Sequence, residues 1–287
     1  MLPRLGILVI KEFRQKARGL STIGILVFML AVIALVSYFV LIQGYVSIEN
    51  GYSSASDIGR NLAVGVLFSQ LILTAVFGLT FNGSAITQER DRETIDLMNL
   101  TLLSNAEIVS GKLASSILFI LLLLFAGLPF FALSYTFGGW EISELGAAIL
   151  VEFALVFLVS AIGLLISVSS KDTRAALGRT FTTLIFGTVG TLYFGIRFLS
   201  PSQYGSVISE SLHTVLGIAS VYLNPGFALY YVLFPGTSSL QSAAATALLS
   251  VKGYPFWLQA VTIQCLIALL ATLLAVVNYG KIRMGLR

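Results

Sequence analysis

The chain has 287 residues, of which 57% are hydrophobic and 10% charged, and its mean hydropathy is +0.94. A water-soluble domain has roughly 45–50% apolar and about 25% charged residues, so the composition excludes a soluble fold and predicts one integral membrane domain. The net charge of +4 would suggest nucleic acid as the partner of a soluble protein. Here the basic residues lie beside apolar segments, which favours anionic membrane lipid instead.

Residues 1–19 show a helical pattern with two chemically different sides. The polar side consists of Arg4, Lys11, Arg14, Gln15 and Arg18, and the apolar side of Leu5, Leu8, Val9 and Phe13. This pattern predicts an interfacial helix on the inner leaflet, with Glu12 and Lys16 forming an i,i+4 ion pair. A frayed basic tail is the alternative.

Six apolar segments are long enough to cross a bilayer core roughly 30 Å thick, which requires about 20 helical residues. They are Leu20–Ile42, Leu62–Ile86, Leu113–Phe137, Leu145–Val168, Leu177–Leu199 and Trp257–Tyr279. The chain is thus predicted to be an all-α polytopic membrane protein. Spans 1–2 occupy residues 20–86, a connecting region 87–112, spans 3–5 residues 113–199, and span 6 with a tail residues 257–287.

The distribution of Lys and Arg gives the orientation of the spans, because these residues concentrate in cytoplasmic loops. With the N-terminus inside, Arg60, Arg197 and Lys252 are the basic residues left outside, and the other fourteen of the seventeen are cytoplasmic. Both termini are then cytoplasmic. A rival topology counts Val215–Phe234 as a seventh span. Asn224-Pro225-Gly226 interrupts that run, so residues 200–256 are predicted to be an outer segment of short or re-entrant helices.

The connection between spans 2 and 3 is the most informative segment. Six polar residues, 88–93, precede a short apolar stretch from Ile95 to Leu103, which predicts an amphipathic helix too short to span. Ser104 and Glu107 have the spacing of a capping box, so a new helix is expected to start at Asn105. The polar residues carry both signs of charge. A mixed surface favours docking on a protein over floating in an acidic bilayer, which is the alternative.

This connection resembles the signature of permease subunits of type II ABC exporters. The similarity lies in Glu89-Arg90-Asp91-Arg92-Glu93-Thr94-Ile95-Asp96-Leu97-Met98, then Thr101, Leu103-Ser104, Glu107-Ile108-Val109 and Gly111-Lys112. The family pattern reads approximately E-R-x-x-G-T-L-E-L-L followed by T-P-L-S-x-x-E-I-V-x-G-K. Glu93 replaces the usual glycine and Leu102 the usual proline.

The resemblance implies a non-catalytic transport subunit in the cell's inner (cytoplasmic) membrane, working as a dimer with an identical or related permease. It also implies a coupling helix, Arg92–Leu103, that docks on two copies of a separate ATPase subunit. The implied coupling residues are Arg90, Arg92, Glu93, Thr94, Ile95, Asp96, Leu97, Met98 and Leu102. The sequence contains no G-x-x-x-x-G-K-[ST] phosphate loop, so ATP and Mg²⁺ are expected on the partner ATPase, and no cofactor is expected here.

Glu152 lies within the fourth span, where an ionised carboxylate is costly unless paired. Arg197, near the outer end of the fifth span, is its predicted partner, with a substrate or proton site as the alternative. A secondary transporter or channel is the alternative function, although buried charges and inverted repeats are sparse. An intramembrane enzyme is improbable because the chain has one histidine, His213, in a predicted loop. The transported substrate does not follow from the sequence.

Overall fold

The computed structural model describes residues 2–95, 103–199, 210–234 and 254–283, and every regular element in these ranges is a helix. In chain order the elements are α1 (Leu2–Ala17), α2 (Leu20–Glu49), α3 (Ala55–Gly83), α4 (Thr87–Asp91), α5 (Asn105–Phe125), α6 (Leu128–Phe137), α7 (Ile142–Ser169), α8 (Thr173–Ile185), a π-helix (Phe186–Gly190), α9 (Thr191–Leu199), α10 (Glu210–Leu223), α11 (Pro225–Leu233) and α12 (Phe256–Arg283).

Five helical stretches of the described residues are long and apolar enough to cross a membrane: Thr22–Glu49, Ala55–Asp91, Asn105–Phe137, Ile142–Ser169 and Phe256–Arg283. The pair α10 and α11 makes a sixth if it is counted as one broken span. An all-α membrane protein with five to six spans is therefore confirmed. The predicted fifth span, Leu177–Leu199, falls on α8, the π-helix and α9, and is not among the five stretches.

Polar caps fix where several helices begin. Ser54 accepts a hydrogen bond from the Asp57 amide and closes a capping box, so α3 begins well before the predicted Leu62. The capping box predicted at Ser104 and Glu107 is present, and α5 begins at Asn105 as expected. The amide of Glu107 lies 3.2 Å from the Ser104 hydroxyl. Local sequence therefore determines these boundaries.

Helices α3 and α7 form the centre of the bundle and are buried along most of their length. Small residues bring them together: a Cβ at Gly78 would lie 2.5 Å from the Val159 side chain, and one at Gly163 would lie 2.7 Å from Asn82. Such close helix packing through glycine is typical of membrane bundles. Helix α12 packs against α7 through Ala268, Ala271 and Ala275 among other residues.

The predicted third span, Leu113–Phe137, lies within the stretch Asn105–Phe137. This stretch is interrupted for two residues, because α5 ends at Phe125 and α6 begins at Leu128. Pro129 lies in the first turn of α6, and proline has no N–H to continue the hydrogen bonds of the preceding helix. The break follows from this missing donor.

The predicted outer segment contains α10 and α11 in its described part, and the two helices meet at an angle of 71°. Asn224 caps α11 by accepting from the Gly226 amide, and Pro225 occupies the first turn. The Asn224 side chain also donates to the Thr188 carbonyl and the Thr191 hydroxyl. The short-helix prediction therefore agrees with the described residues, and the break falls at the predicted Asn-Pro-Gly.

Candidate functional site

The connecting region begins with the short helix α4, which ends in a left-handed residue. Glu93 has φ = 58°, its amide bonds to the Arg90 carbonyl at 3.0 Å, and the Thr94 amide bonds to the Glu89 carbonyl at 2.9 Å. These two bonds form a Schellman motif. Glycine is favoured at such a position because it has no Cβ, which gives a physical reason for the glycine that resembling sequences have there.

Helix α4 is fixed to the turn between α7 and α8. The amides of Ile86 and Thr87 donate to the Ser167 hydroxyl at 2.8 and 3.1 Å. The Arg90 guanidinium donates to the carbonyls of Ser170 and Lys171. Arg90 thus holds the connecting region against the bundle. Its role in coupling to an ATPase, which the resemblance implies, stays a prediction.

Asp91 adds a further contact between α4 and α8. Its carboxylate accepts from the Thr173 amide at 3.2 Å, at the first residue of α8. A carboxylate near a helix N-terminus also interacts favourably with the helix dipole. The connecting region is therefore attached to this turn by backbone and side-chain contacts together.

A buried lysine joins the connecting region to α1 and α5. The side chain of Lys112 is 5% exposed, and its ammonium lies 3.0 Å from the Glu12 carboxylate and 3.4 Å from that of Glu89. Glu12 belongs to α1 and Glu89 to α4, so one cation connects three helices. We name Glu12, Glu89 and Lys112 the lysine junction.

The predicted ion pair between Glu12 and Lys16 is not formed, because Glu12 pairs with Lys112 across the helix interface. Lys16 instead donates to the Ser116 hydroxyl at 2.7 Å and to that of Ser115 at 3.4 Å. Burial lowers the pKa of Lys16 to about 8, with Glu12 opposing this change and the charge of Lys112 adding to it. Helix α1 is therefore bound to α5 through its polar side, while Lys11 and Arg14 are exposed.

A polar cavity of about 380 Å³ lies beside the lysine junction, between α1, α3, α4 and α5. Its lining includes Gln15, Lys16, Gln88 and Arg92 in addition to the three junction residues. The far end of the connecting region is held by α12, since Arg283 donates to the Leu103 carbonyl at 2.8 Å and to Asn105 at 3.2 Å. The region is thus attached to the bundle at both ends.

The predicted coupling residues differ in burial and in their contacts. Arg92 and Glu93 are exposed, Thr94 donates to the Glu89 carboxylate, and Ile95 is buried against the bundle. Four predicted residues, Asp96, Leu97, Met98 and Leu102, lie outside the described residues. In the sequence, Lys112 stands out only as the last residue of the resemblance, and no local pattern points to Glu12 as its partner.

Glu152 does not pair with Arg197, so the predicted intramembrane ion pair is wrong. Both carboxylate oxygens of Glu152 are buried without a hydrogen-bond partner, and Arg197 donates to the Tyr193 hydroxyl at 3.4 Å. Glu152 lines a cavity among α3, α5, α6 and α7, whereas α9 packs against α10. The two side chains belong to separate faces of the bundle. Within the described ranges, no group of three His, Cys, Asp or Glu could hold a metal ion.

In a comparison with protein families, residues 7–281 match a model described as an ABC-2 family transporter protein. Comparison with curated proteins gives no match. The family match spans every helix from α1 to α12 and includes the whole connecting region.

Proposed function

Because this chain belongs to the ABC-2 family of transporter proteins, and is thus the permease component of an ABC transporter, we propose that it serves an ATP-driven exporter. In this proposal residues 87–103 couple the spans to two copies of a separate ATPase subunit, which bind ATP and Mg²⁺. A second permease, identical or related, completes the transport pathway.

The attachment of the connecting region to the bundle is the observation that carries the proposal. Helix α4 is bonded to α1 and α5 through Lys112, to the α7–α8 turn through Arg90, and the region's far end to α12 through Arg283. Asp91, Arg92 and Glu93 remain exposed beside these contacts. A segment accessible from outside and bonded to several helices is suited to transmit movement from a docked ATPase, because packed and bonded elements move together.

The orientation proposed for the chain places both termini and residues 87–112 in the cytoplasm, and residues 44–60 and 200–255 outside the cell's cytoplasmic membrane. The two ends of the bundle support this assignment. One end collects the basic residues Lys16, Arg90, Lys112 and Arg283. The opposite end has Arg60, which is neutralised by Glu144 at 2.9 Å. An excess of Lys and Arg marks the cytoplasmic side.

Copurification with the ATPase tests the proposal. Met98 belongs to the apolar stretch from Ile95 to Leu103 that the sequence shows, so Met98→Asp should bury an unpaired carboxylate at the docking surface. Truncating or charging a central anchor costs about 1–4 kcal/mol, which corresponds to binding that is roughly fivefold to several-hundredfold weaker. Tagged chain purified from its own membrane should therefore retain an ATPase subunit, and the Met98→Asp variant should lose it.

Met98→Leu is the matched control, because it conserves volume and apolar character, and it should retain the ATPase. Unchanged elution volume and melting temperature of the Met98→Asp variant would show that the bundle remains folded. Full retention of the ATPase by folded Met98→Asp would contradict the docking proposal. Transport driven by an ion gradient in the purified chain alone would favour a secondary transporter instead.

A further inference from the structure

A small apolar cavity of about 90 Å³ lies among α3, α5, α6 and α7, away from the connecting region. Its walls are mostly aliphatic and aromatic side chains, including Leu67, Leu121, Phe125, Leu128, Ile149 and Phe153. Gln70 and Glu152 are the polar residues of its lining. The proposed coupling function uses none of these residues.

The cavity lies at the break between α5 and α6. Gln70 reaches from α3 into this break, and its amide donates to the Leu124 carbonyl at 3.1 Å. A Cβ at Gly127 would lie 1.9 Å from the Gln70 amide nitrogen, so a larger residue there would displace the Gln70 side chain from this position. Interrupted helices near the middle of the membrane are where transporters place substrate sites.

Glu152 lies deep in the bundle, and no described residue pairs with it. It is ten residues from the start of α7, or about 15 Å along the helix axis, which places it within the hydrocarbon region. The residue is 4% exposed and neither carboxylate oxygen has a hydrogen bond. Intramembrane carboxylates normally pair with a cation or a donor because an isolated charge there is costly. Among the described residues, the lining of the cavity contains no cation that could pair with Glu152.

The mouth of the cavity opens toward lipid rather than water. Phe125, Leu128 and Phe153 on its rim are 60%, 49% and 43% exposed, although all are apolar. Apolar side chains exposed at this depth face hydrocarbon chains. A ligand that reaches Glu152 through this opening must therefore first dissolve in the bilayer.

We propose that this cavity binds the cationic head of a lipophilic amine that enters from the bilayer, with Glu152 as its counter-ion. The volume of 90 Å³ is about that of three water molecules, enough for an ammonium group with small alkyl substituents. The apolar remainder of the ligand lies between α5 and α7 in the lipid-facing mouth. As a substrate site the cavity rests on the proposed export function, but binding itself requires no ATPase.

Equilibrium binding of radiolabelled dodecyltrimethylammonium to the purified chain in phosphatidylcholine nanodiscs tests the site. Empty nanodiscs measure partition into lipid. We expect saturable binding to the wild-type chain and at least tenfold weaker binding to the Glu152→Gln variant. Glu49→Gln removes an exposed carboxylate at the end of α2 and is the matched control, which should bind as the wild type does.

Competition with uncharged dodecanol and anionic dodecanoate distinguishes a cation site from an apolar cavity. Neither should displace the labelled cation at equal concentration. Equal affinity of wild type and Glu152→Gln, or displacement by dodecanol, would overturn the proposal. Because the assay contains no ATPase or nucleotide, loss of ATPase copurification and loss of cation binding are separate results, and each proposal fails independently.

Discussion

The lysine junction and the Glu152 cavity each bury an ionisable side chain in the same bundle. They differ in whether that side chain has bonding partners. Lys112 is bonded by two carboxylates, and Ser115 donates to Glu12 as well. Glu152 is equally buried but has no partner for either oxygen. A buried charge with full partners holds structure together. A buried charge that has no partner lowers the stability of the protein, and such groups occur mainly at functional sites.

The comparison predicts that removing Lys112 destabilises the protein most. Lys112→Met leaves Glu12 and Glu89 facing each other without a cation, and breaking a buried ion pair costs about 3 kcal/mol. The free energy of unfolding, measured by denaturant titration in detergent micelles, should fall by that amount. Lys11→Met, at an exposed position of α1, should leave it unchanged. Equal effects of the two variants would show that the junction is not a structural contact.

The buried Lys16 side chain, next to the lysine junction, should make the free energy of unfolding depend on pH. Its folded pKa of about 8 lies below the ordinary lysine pKa of 10.5, so the unfolded chain binds more protons between these values, and stability rises as pH increases from 8 to 10.5. The rise should be about 3 kcal/mol, because a difference of one pKa unit corresponds to about 1.36 kcal/mol. It should disappear in Lys16→Met and persist in Lys11→Met. A rise of the same size in all three proteins would assign it to other groups.

Arg90 and Arg92 are two positions apart but have different surroundings: the Arg90 side chain is hydrogen-bonded to the bundle, and the Arg92 side chain is exposed. Arg90→Ala leaves the carbonyls of Ser170 and Lys171 without their donor, and bonds to charged groups are worth about 1.5–3 kcal/mol. We expect a loss near the lower value, since the contact is partly exposed. Arg92→Ala should change the free energy of unfolding by less than about 0.5 kcal/mol. A larger loss from Arg92→Ala would reverse the assignment of roles.

Substitution of Glu93 by glycine should give a small change in the free energy of unfolding, and this change should be stabilising. Left-handed backbone costs a non-glycine residue roughly 1 kcal/mol, so Glu93→Gly should raise the free energy of unfolding by about that amount. Glu93→Ala keeps the Cβ and should give no gain. Stabilisation by both variants would indicate a charge effect of Glu93 and not relief of backbone strain.

Patterns confined to a few consecutive residues were read correctly from the sequence. The Ser104 and Glu107 capping box and the interruption at Asn224-Pro225 both depend on neighbours along the chain, and both are present. The sequence predicts the span that contains Pro129 but not the interruption before this residue, because hydropathy remains high across the interruption. A proline within an apolar run was the available signal.

Pairings between distant helices were not predictable in the same way. Spacing suggested Glu12 with Lys16, but Lys112 lies closer in the folded bundle. Arg197, near the outer end of the fifth predicted span, was expected to pair with Glu152, but α7 directs Glu152 toward α3 and α5. The packing of the whole bundle determines which face of a helix contacts which neighbouring helix. A single sequence contains no covariation between positions from which these contacts could be predicted.

The orientation of the bundle is the premise on which the coupling proposal depends most. Arg92→Cys and Tyr52→Cys place a reactive thiol at exposed positions at opposite ends, and Cys265, the single native cysteine, is replaced by serine in both. Labelling of sealed cells with a membrane-impermeant maleimide should modify residue 52 and spare residue 92 until the cells are permeabilised. Labelling of residue 92 in sealed cells would put the connecting region outside and contradict its coupling to a cytoplasmic ATPase.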